Sequence, residues 1–415
     1  PTASTACYTC SGGVARITLR RRCHMKGVVR REMLSERVRS IKPSGIRKFF
    51  DIAATMADVI SLGVGEPDFV TPDHIRQAGI DAIKDGDTHY TSNWGTLALR
   101  QAISENIERR YGVHYDPVTE VMVTVGVSEG IDVTMRAIID EGDEVALPDP
   151  GYVAYEADVV LAGGKVVPVR THVEEEFEVR AAALEAVLTP RTKVLLLGNP
   201  NNPTGAVIAR PELEKIAALV ERNDLLVISD EVYSRLVYGE EHACIAALPG
   251  MRERTVLADG FSKAYAMTGW RVGYLCAPAH LLEAILKVHQ YAIMCAPTMS
   301  QAAALEGLLH GEDDVRAMVA SYDERRKLMV NGLNAVGLEC YMPRGAFYAF
   351  PAITRTGMTS EEFAEKLLFE EKVAVVPGNA FGEGGEGFVR CTYCTAQDKI
   401  SEALERIGRF VKKYS

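Results

Sequence analysis

From about residue 119 the chain alternates between short apolar runs and stretches whose apolar positions recur every three or four residues. Val121–Val125 reads as a strand and Ile131–Ile139 as a helix; Glu144–Pro148 reads as a strand and Val153–Leu161 as a helix. Lys165–Val169, Lys193–Leu197, Leu225–Ser229, Thr255–Ala258 and Val272–Cys276 are further strand-like runs. Pro211 marks a helix start, ahead of Leu213, Ile216, Leu219 and Val220 on one face. Strand and helix in alternation predict an α/β domain around a mostly parallel sheet. Such sheets take their ligands in the loops beyond the carboxyl ends of the strands. Polar residues in those loops are therefore the first candidates for chemistry.

The texture then changes. Long helical patterns cover 279–293, 298–309 and 312–335. Short strands at Ala346–Phe350, Val373–Val376 and Phe388–Thr392 follow, mixed with helices at 360–370 and 397–412. This predicts a large domain over 71–330 and a smaller α+β domain over 331–415. The segment 33–70 is expected to join the small domain, and 1–32 to be a leader. There is no internal repeat and no low-complexity linker.

Composition narrows the class. The chain has 415 residues, 47% of them hydrophobic and 25% charged, as expected of a soluble globular enzyme with a large core. A formal net charge of −10 argues against a nucleic-acid surface. The uncharged apolar run Val194–Ala209 is broken by Asn and Pro and is too short to span a bilayer. Charge is unevenly placed, because residues 1–31 hold no acid but seven bases: Arg16, Arg20, Arg21, Arg22, Lys26, Arg30 and Arg31. That start fits either an organelle transit peptide or an extension upstream of the true start, with Met25 and Met33 as alternative initiators. We favour the extension, expect it to be disordered, and expect a cytoplasmic protein. Nine cysteines do not make a disulfide scaffold. Cys7, Cys10, Cys23 and His24 look superficially like metal ligands, but no second well-spaced pair follows, so no metal is expected. Cys391 and Cys394 sit in a strand-like run rather than at a helix start, which suits packing residues in a reducing compartment.

The most informative stretch is Ser262-Lys263-Ala264-Tyr265-Ala266-Met267-Thr268-Gly269-Trp270-Arg271. A lysine does chemistry only where its pKa is lowered or its amine is consumed. One way is an imine with the aldehyde of pyridoxal phosphate, whose phosphate also needs hydroxyl and guanidinium donors. This run holds lysine, hydroxyl and arginine together, although alone it could be a surface lysine beside a turn. Asn199-Pro200-Asn201-Asn202-Pro203-Thr204-Gly205 reads as an extended, rigid loop ending in a tight turn, able to hold an amide against a ring oxygen, or as a plain Pro/Asn turn. In Ser229-Asp230-Glu231-Val232-Tyr233 a carboxylate ends a buried strand, where it needs a cation such as a pyridinium; an N-cap is the plainer reading. Val125-Gly126-Val127-Ser128-Glu129-Gly130 links strand to helix and offers amides and a hydroxyl to an anion. Pro148-Asp149-Pro150-Gly151-Tyr152 places an aromatic where it could stack on a flat cofactor. Arg390 stands in an otherwise apolar strand and needs an acid, either a protein carboxylate or that of a substrate. The run 378–387 carries Glu383 and Glu386, which would repel phosphate, and reads as a loop.

In this order, with Gly63-Val64-Gly65-Glu66-Pro67 and Tyr90 ahead of them, the motifs resemble those of the class I/II aminotransferases from about Ile41 to the C-terminus. The resemblance implies the fold type I architecture of pyridoxal-phosphate enzymes: a mostly parallel seven-stranded sheet flanked by helices, plus a smaller α+β domain. It implies pyridoxal 5'-phosphate as cofactor and Lys263 as the residue that bonds its aldehyde and later shuttles the proton. Asp230 would pair with the pyridine nitrogen, Asn202 and Tyr233 would hold the phenolic oxygen, and Tyr152 would stack on the ring. Arg271, Ser262, Val127 and Ser128 would hold the phosphate. Arg390 and the Gly65 backbone would bind the substrate α-carboxylate with Asn202 beside them. Tyr90 would reach the phosphate of a neighbouring subunit, which implies a homodimer with shared sites.

Ile41-Lys42-Pro43-Ser44-Gly45-Ile46-Arg47 is similar to the opening of the prokaryotic subgroup of aspartate, aromatic, alanine and prephenate aminotransferases. In its aspartate/prephenate branch a lysine follows the glycine of the phosphate turn. Here Ser128 stands there, and Tyr90 and Trp94 could border the side chain of the substrate. The expectation is an aromatic or broad-range enzyme with 2-oxoglutarate as acceptor. The rivals are a C–S β-lyase or a cyclopropane-forming synthase of the same fold, and a non-catalytic regulator that binds the same cofactor.

Overall fold

The computed structural model describes residues 33–41 and 56–415. The basic start, with Cys7, Cys10, Cys23 and His24, and residues 42–47 of the subgroup-like opening lie outside the described residues.

Twelve strands are named here in chain order. Seven form one sheet: β2 (Val121–Thr124), β3 (Glu144–Asp149), β4 (Lys165–Arg170), β5 (Thr192–Gly198), β6 (Leu226–Asp230), β7 (Thr255–Gly260) and β8 (Gly273–Cys276). Their spatial order is β2-β8-β7-β6-β5-β3-β4. Only β8 runs against its neighbours; the other pairings are parallel. The sheet is thus the mostly parallel one that the pattern predicted.

The two-residue period of a strand explains the layers. Val194 and Leu196 of β5 face a cluster with Ile131, Val159, Leu282 and Ile285, from the helices Gly126–Ile138, Val153–Ala162 and Ala279–Ala292. Leu195 and Leu197 face the other way, onto Leu184, Ile216 and Val220 from the helices Ala181–Val187 and Arg210–Arg222. With both faces covered, the middles of the central strands are apolar, and charged side chains such as Glu144, Lys193 and Asp230 stand near their ends.

The remaining strands are short. β1 (Ile60–Ser61) pairs in parallel with β10 (Val373–Ala374). β11 (Val376–Pro377), β12 (Val389–Thr392) and β9 (Tyr348–Ala349) form an antiparallel sheet in the order β11-β12-β9. Cys391 and Cys394 are buried free thiols there. No described helix is long and apolar enough to cross a membrane.

Three features depart from the sequence pattern. The first helix after β2 starts at Gly126, not at Ile131, because its first turn is polar and shows no apolar period. Helices at Asp73–Lys84 and Leu97–Tyr111 occupy a stretch to which the pattern assigned nothing. The Asn199–Gly205 segment is a closed turn rather than an extended loop. Asn201 N donates to the Ala206 carbonyl (2.9 Å), Gly205 N donates to the Asn201 carbonyl (2.9 Å), and Gly205 takes φ +71°.

Leu196 is fully buried in the middle of the sheet. Leu196→Ala is predicted to lower the unfolding free energy by about 2–5 kcal/mol, the range for a buried leucine truncated to leave a cavity. Denaturant titration measures it, and an unchanged midpoint contradicts the layered core.

Candidate active site

Strands β2, β3, β5, β6 and β7 all point their carboxyl ends to one edge of the sheet, and the antiparallel β8 brings its amino end to the same edge. A cavity of about 630 Å³ opens there. The loops after β2, β3, β5, β6 and β7 and the segment leading into β8 line it with Val127, Ser128, Tyr152, Asn202, Asp230, Tyr233, Ser262, Lys263 and Arg271. Gly65 and Arg390 complete the lining from the segment after β1 and from β12. Of the twelve residues given a role at the cofactor or the α-carboxylate, eleven therefore meet in one place.

Tyr90 is the twelfth. It is 80% exposed and lies outside the cavity lining. Trp94 does not line the cavity either; it packs against the apolar cluster on one face of the sheet. The expectation that these two border a substrate side chain is not met within one copy of the chain.

Lys263 is half-buried, and its Nζ donates to the Gly65 carbonyl at 2.7 Å. Burial lowers its pKa to about 8, and the positive Arg390 and Arg271 push in the same direction. Near that pH a large fraction of the amine is neutral and nucleophilic.

Asp230 ends β6 fully inside. Its Oδ2 accepts from the Tyr155 hydroxyl at 2.7 Å and its Oδ1 accepts from Val232 N at 3.1 Å. The chain beyond it turns rather than entering a helix, so the N-cap reading fails. Two more acids are buried nearby, each with a basic neighbour: Asp259 lies 3.5 Å from Arg110, and Glu231 is hydrogen-bonded to His242. Among the described residues Asp230 has no such partner.

Arg390 is 3% exposed. Its Nη1 donates to Asn202 Oδ1 at 2.8 Å and its Nη2 to the Gly63 carbonyl at 2.6 Å. The rings of Tyr348 and Phe381 lie 4.4 and 4.7 Å from the guanidinium carbon. Its Nε is buried without a hydrogen-bond partner, and no described carboxylate forms an ion pair with it. A buried, positioned guanidinium lacking an acid suits a bound carboxylate.

The helix Gly126–Ile138 begins at the cavity, with Val127 and Ser128 in its first turn, where backbone N–H groups have no helical partner. Gly126 takes φ +75°, and a Cβ there would strike the Arg271 guanidinium at 2.7 Å. Absence of that side chain leaves the arginine beside the helix start, where it donates to the Thr268 carbonyl at 3.1 Å. Helix amides, hydroxyls and a guanidinium make an anion cradle that suits a phosphate. Tyr152 supplies an aromatic wall to the same cavity, its ring 5.4 Å from that of Tyr155. A flat, phosphate-bearing ring with a basic nitrogen would thus find a matching group in this lining for each of its parts.

Sequence reading missed Tyr155 and Tyr348, both in the cavity lining. Tyr155 follows Tyr152 by three residues, one helical turn on. Tyr348 is a polar-tipped residue in an apolar strand, the same signal that exposed Arg390.

Burial pushes the Asp230 carboxyl up to about 6, against the pull of the Tyr155 and Val232 donors. A carboxyl raised in this way favours folding most below its unfolded value near 3.8, and that contribution falls as pH rises through about 6. Cofactor-free Asp230→Asn is therefore predicted to gain on the wild type between pH 4 and 6 and to be more stable above that by roughly 1–3 kcal/mol. Denaturant unfolding at pH 4 and pH 7.5 measures it; a variant less stable than wild type at pH 7.5 contradicts it.

The chain matches the family described as aminotransferase class I and II over residues 57–407. It is 54% identical to a Bacillus subtilis (strain 168) protein named as an aminotransferase, YugH, over 92% of this chain and 98% of that protein. It is 45% identical to an aspartate aminotransferase of Pyrococcus abyssi (strain GE5 / Orsay), again over 92% and 98%. Among solved structures, the aromatic aminotransferase from Pyrococcus horikoshii OT3 superposes with a TM-score of 0.85 at 45% identity, covering 88% of this chain and 99% of that one. The chain belongs to the class I and II aminotransferases, enzymes of fold type I that depend on pyridoxal 5'-phosphate.

Proposed function

We propose that this cavity carries amino-group transfer from an L-amino acid to a 2-oxo acid, with Lys263 as proton carrier and Arg390 as carboxylate anchor. Pyridoxal phosphate supplies an aldehyde that bonds amines and a ring that takes up electron density when Cα loses its proton. Lys263, through its neutral amine, would bond that aldehyde; once released by substrate, it would carry the proton between Cα and the cofactor's C4′ carbon. Asp230 keeps the ring nitrogen protonated, while Tyr233 and Asn202 hold the phenolic oxygen and Tyr152 covers the ring. Val127, Ser128, Ser262 and Arg271 hold the phosphate. Arg390, Asn202 and the Gly65 backbone hold the α-carboxylate. The observation that carries this reading is Arg390, buried without an acid in the same cavity as a lysine of lowered pKa.

For the amino acid we propose an aromatic or broad range, with 2-oxoglutarate as acceptor. Among the described lining residues the cations are Lys263, Arg271 and Arg390, each already assigned, while Val64, Tyr152 and Tyr348 give apolar or aromatic wall. Ser128 offers no charge to a distal carboxylate. The relatives named for aspartate and for aromatic amino acids support both ends of that range.

We also propose a homodimer with shared sites. Tyr90 is 80% and Tyr291 88% exposed, with Ile293 and Met294 nearly half exposed. The two segments are adjacent, since the Thr298 hydroxyl donates to the His89 carbonyl at 2.6 Å. A second copy would cover this apolar surface and bring Tyr90 to its neighbour's phosphate cradle. Cytoplasmic placement fits the unpaired thiols among the described cysteines.

The test is to add single amino acids to the loaded protein with no oxo acid and follow the absorbance change from the aldehyde to the amine form of the cofactor. Phenylalanine or tyrosine is expected to convert it at least as fast as aspartate; conversion by none contradicts transfer. Arg390→Ala is predicted to cost about 2–5 kcal/mol in kcat/KM, as for one partner of a buried charge pair. Steady-state kinetics with an unchanged kcat/KM contradicts the anchor.

A further inference from the structure

Tyr348 sits on β9 opposite Thr392 of β12, two positions along that strand from Arg390. It is 1% exposed and lines the cavity. Its hydroxyl is 2.6 Å from the Tyr233 hydroxyl. Its ring stacks on the Arg390 guanidinium at 4.4 Å. The same hydroxyl fills the space where a side chain at Gly65 would stand, and the Gly65 carbonyl is the acceptor for Lys263. One phenol therefore touches the residues proposed for the phenolic oxygen, for the α-carboxylate and for the lysine amine.

We propose that Tyr348 is a positioning residue that fixes the direction of the Tyr233 proton and the aim of Arg390. The proposal rests on the reading of Tyr233 given above. A phenol has one proton to donate, although its oxygen can also accept. If Tyr233 donated to Tyr348, it would have nothing left for the phenolic oxygen of the cofactor. With Tyr348 as donor, the Tyr233 proton is free to point into the cavity. A donor that itself accepts a hydrogen bond is polarised and binds more strongly. Burial raises the pKa of both phenols, so both keep their protons at neutral pH. The ionisable groups facing the pair are Arg390, Tyr152, Cys394 and Lys263. The ring contributes separately, since its face attracts the buried guanidinium.

The experiment compares the cofactor-loaded wild type with Tyr348→Phe, Tyr233→Phe and the double variant. Tyr348→Phe removes one oxygen and keeps the ring, so packing is retained; thermal unfolding of each variant checks this. The readout is the pH midpoint of the visible absorbance of the bound cofactor. Donation to the phenolic oxygen stabilises its anionic form, so losing or weakening that donor raises the midpoint. Tyr233→Phe is expected to raise it, and Tyr348→Phe to raise it less, by about half a pH unit or roughly three-fold in the equilibrium. In the Tyr233→Phe background the second substitution is expected to add nothing. If Tyr233→Phe shifts the midpoint and Tyr348→Phe does not, the proposal is overturned while the role of Tyr233 stands. A Tyr348→Phe shift that persists without the Tyr233 hydroxyl overturns it too. A midpoint indifferent to Tyr233→Phe overturns the reading of Tyr233 and this proposal with it. For the ring, Tyr348→Leu is expected to raise the amino-acid KM several-fold above that of Tyr348→Phe; equal values overturn the aim assigned to Arg390.

Discussion

Burial of Asp230 without a cation is the constraint on which the site depends. A carboxylate taken from water needs hydrogen bonds and a compensating charge, or it takes up a proton. Asp259 has Arg110 and Glu231 has His242, but Asp230 has two neutral donors and a pKa pushed up to about 6. Strand β6 delivers it to the sheet edge because both faces of that strand are packed with apolar side chains and the chain must turn there. A protonated ring nitrogen is the partner proposed for this position.

Desolvation acts the opposite way on the cations. It lowers the pKa of Lys263 and thereby increases the neutral amine, the form that can bond an aldehyde. Arg390 is a buried guanidinium. It is held by a carbonyl, an amide oxygen and two aromatic faces, with Nε left over. Low dielectric thus sorts the three groups into an acid awaiting a cation, an amine able to react and a guanidinium awaiting an acid. The segment leading into the antiparallel β8 adds Arg271 to the same cavity, so that it offers a cation to an anionic group and an acid to a basic one.

Much of this was legible because strand ends announce themselves. Asp230, Tyr152 and Lys263 each follow an apolar run closely, and Arg390 interrupts one. The parallel sheet was legible because runs buried on both faces keep a continuous apolar character. Other features left no local trace. The closed turn at Asn199–Gly205 is set by hydrogen bonds among its own residues, which the Pro/Asn composition does not specify. Tyr155 and Tyr348 act through partners 75 and 115 positions away, so only the fold reveals them. The first turn of the helix at Gly126 is polar because it faces the cavity, and polarity there hid the helix start. The role expected of Tyr90 belongs to a second copy of the chain, and in one copy its side chain is exposed.

The most direct measurement is borohydride reduction of the cofactor-loaded protein, followed by proteolysis and mass spectrometry of the lysine peptides. Reduction fixes the bond between the lysine and the aldehyde carbon as a stable secondary amine. The mass of the reduced cofactor is predicted on the peptide containing Lys263, at one equivalent per chain, and absent after Lys263→Ala although cofactor still binds. Label on a different lysine, or no label on a protein that shows the visible band, would contradict the assignment of Lys263 and with it the account of the cavity.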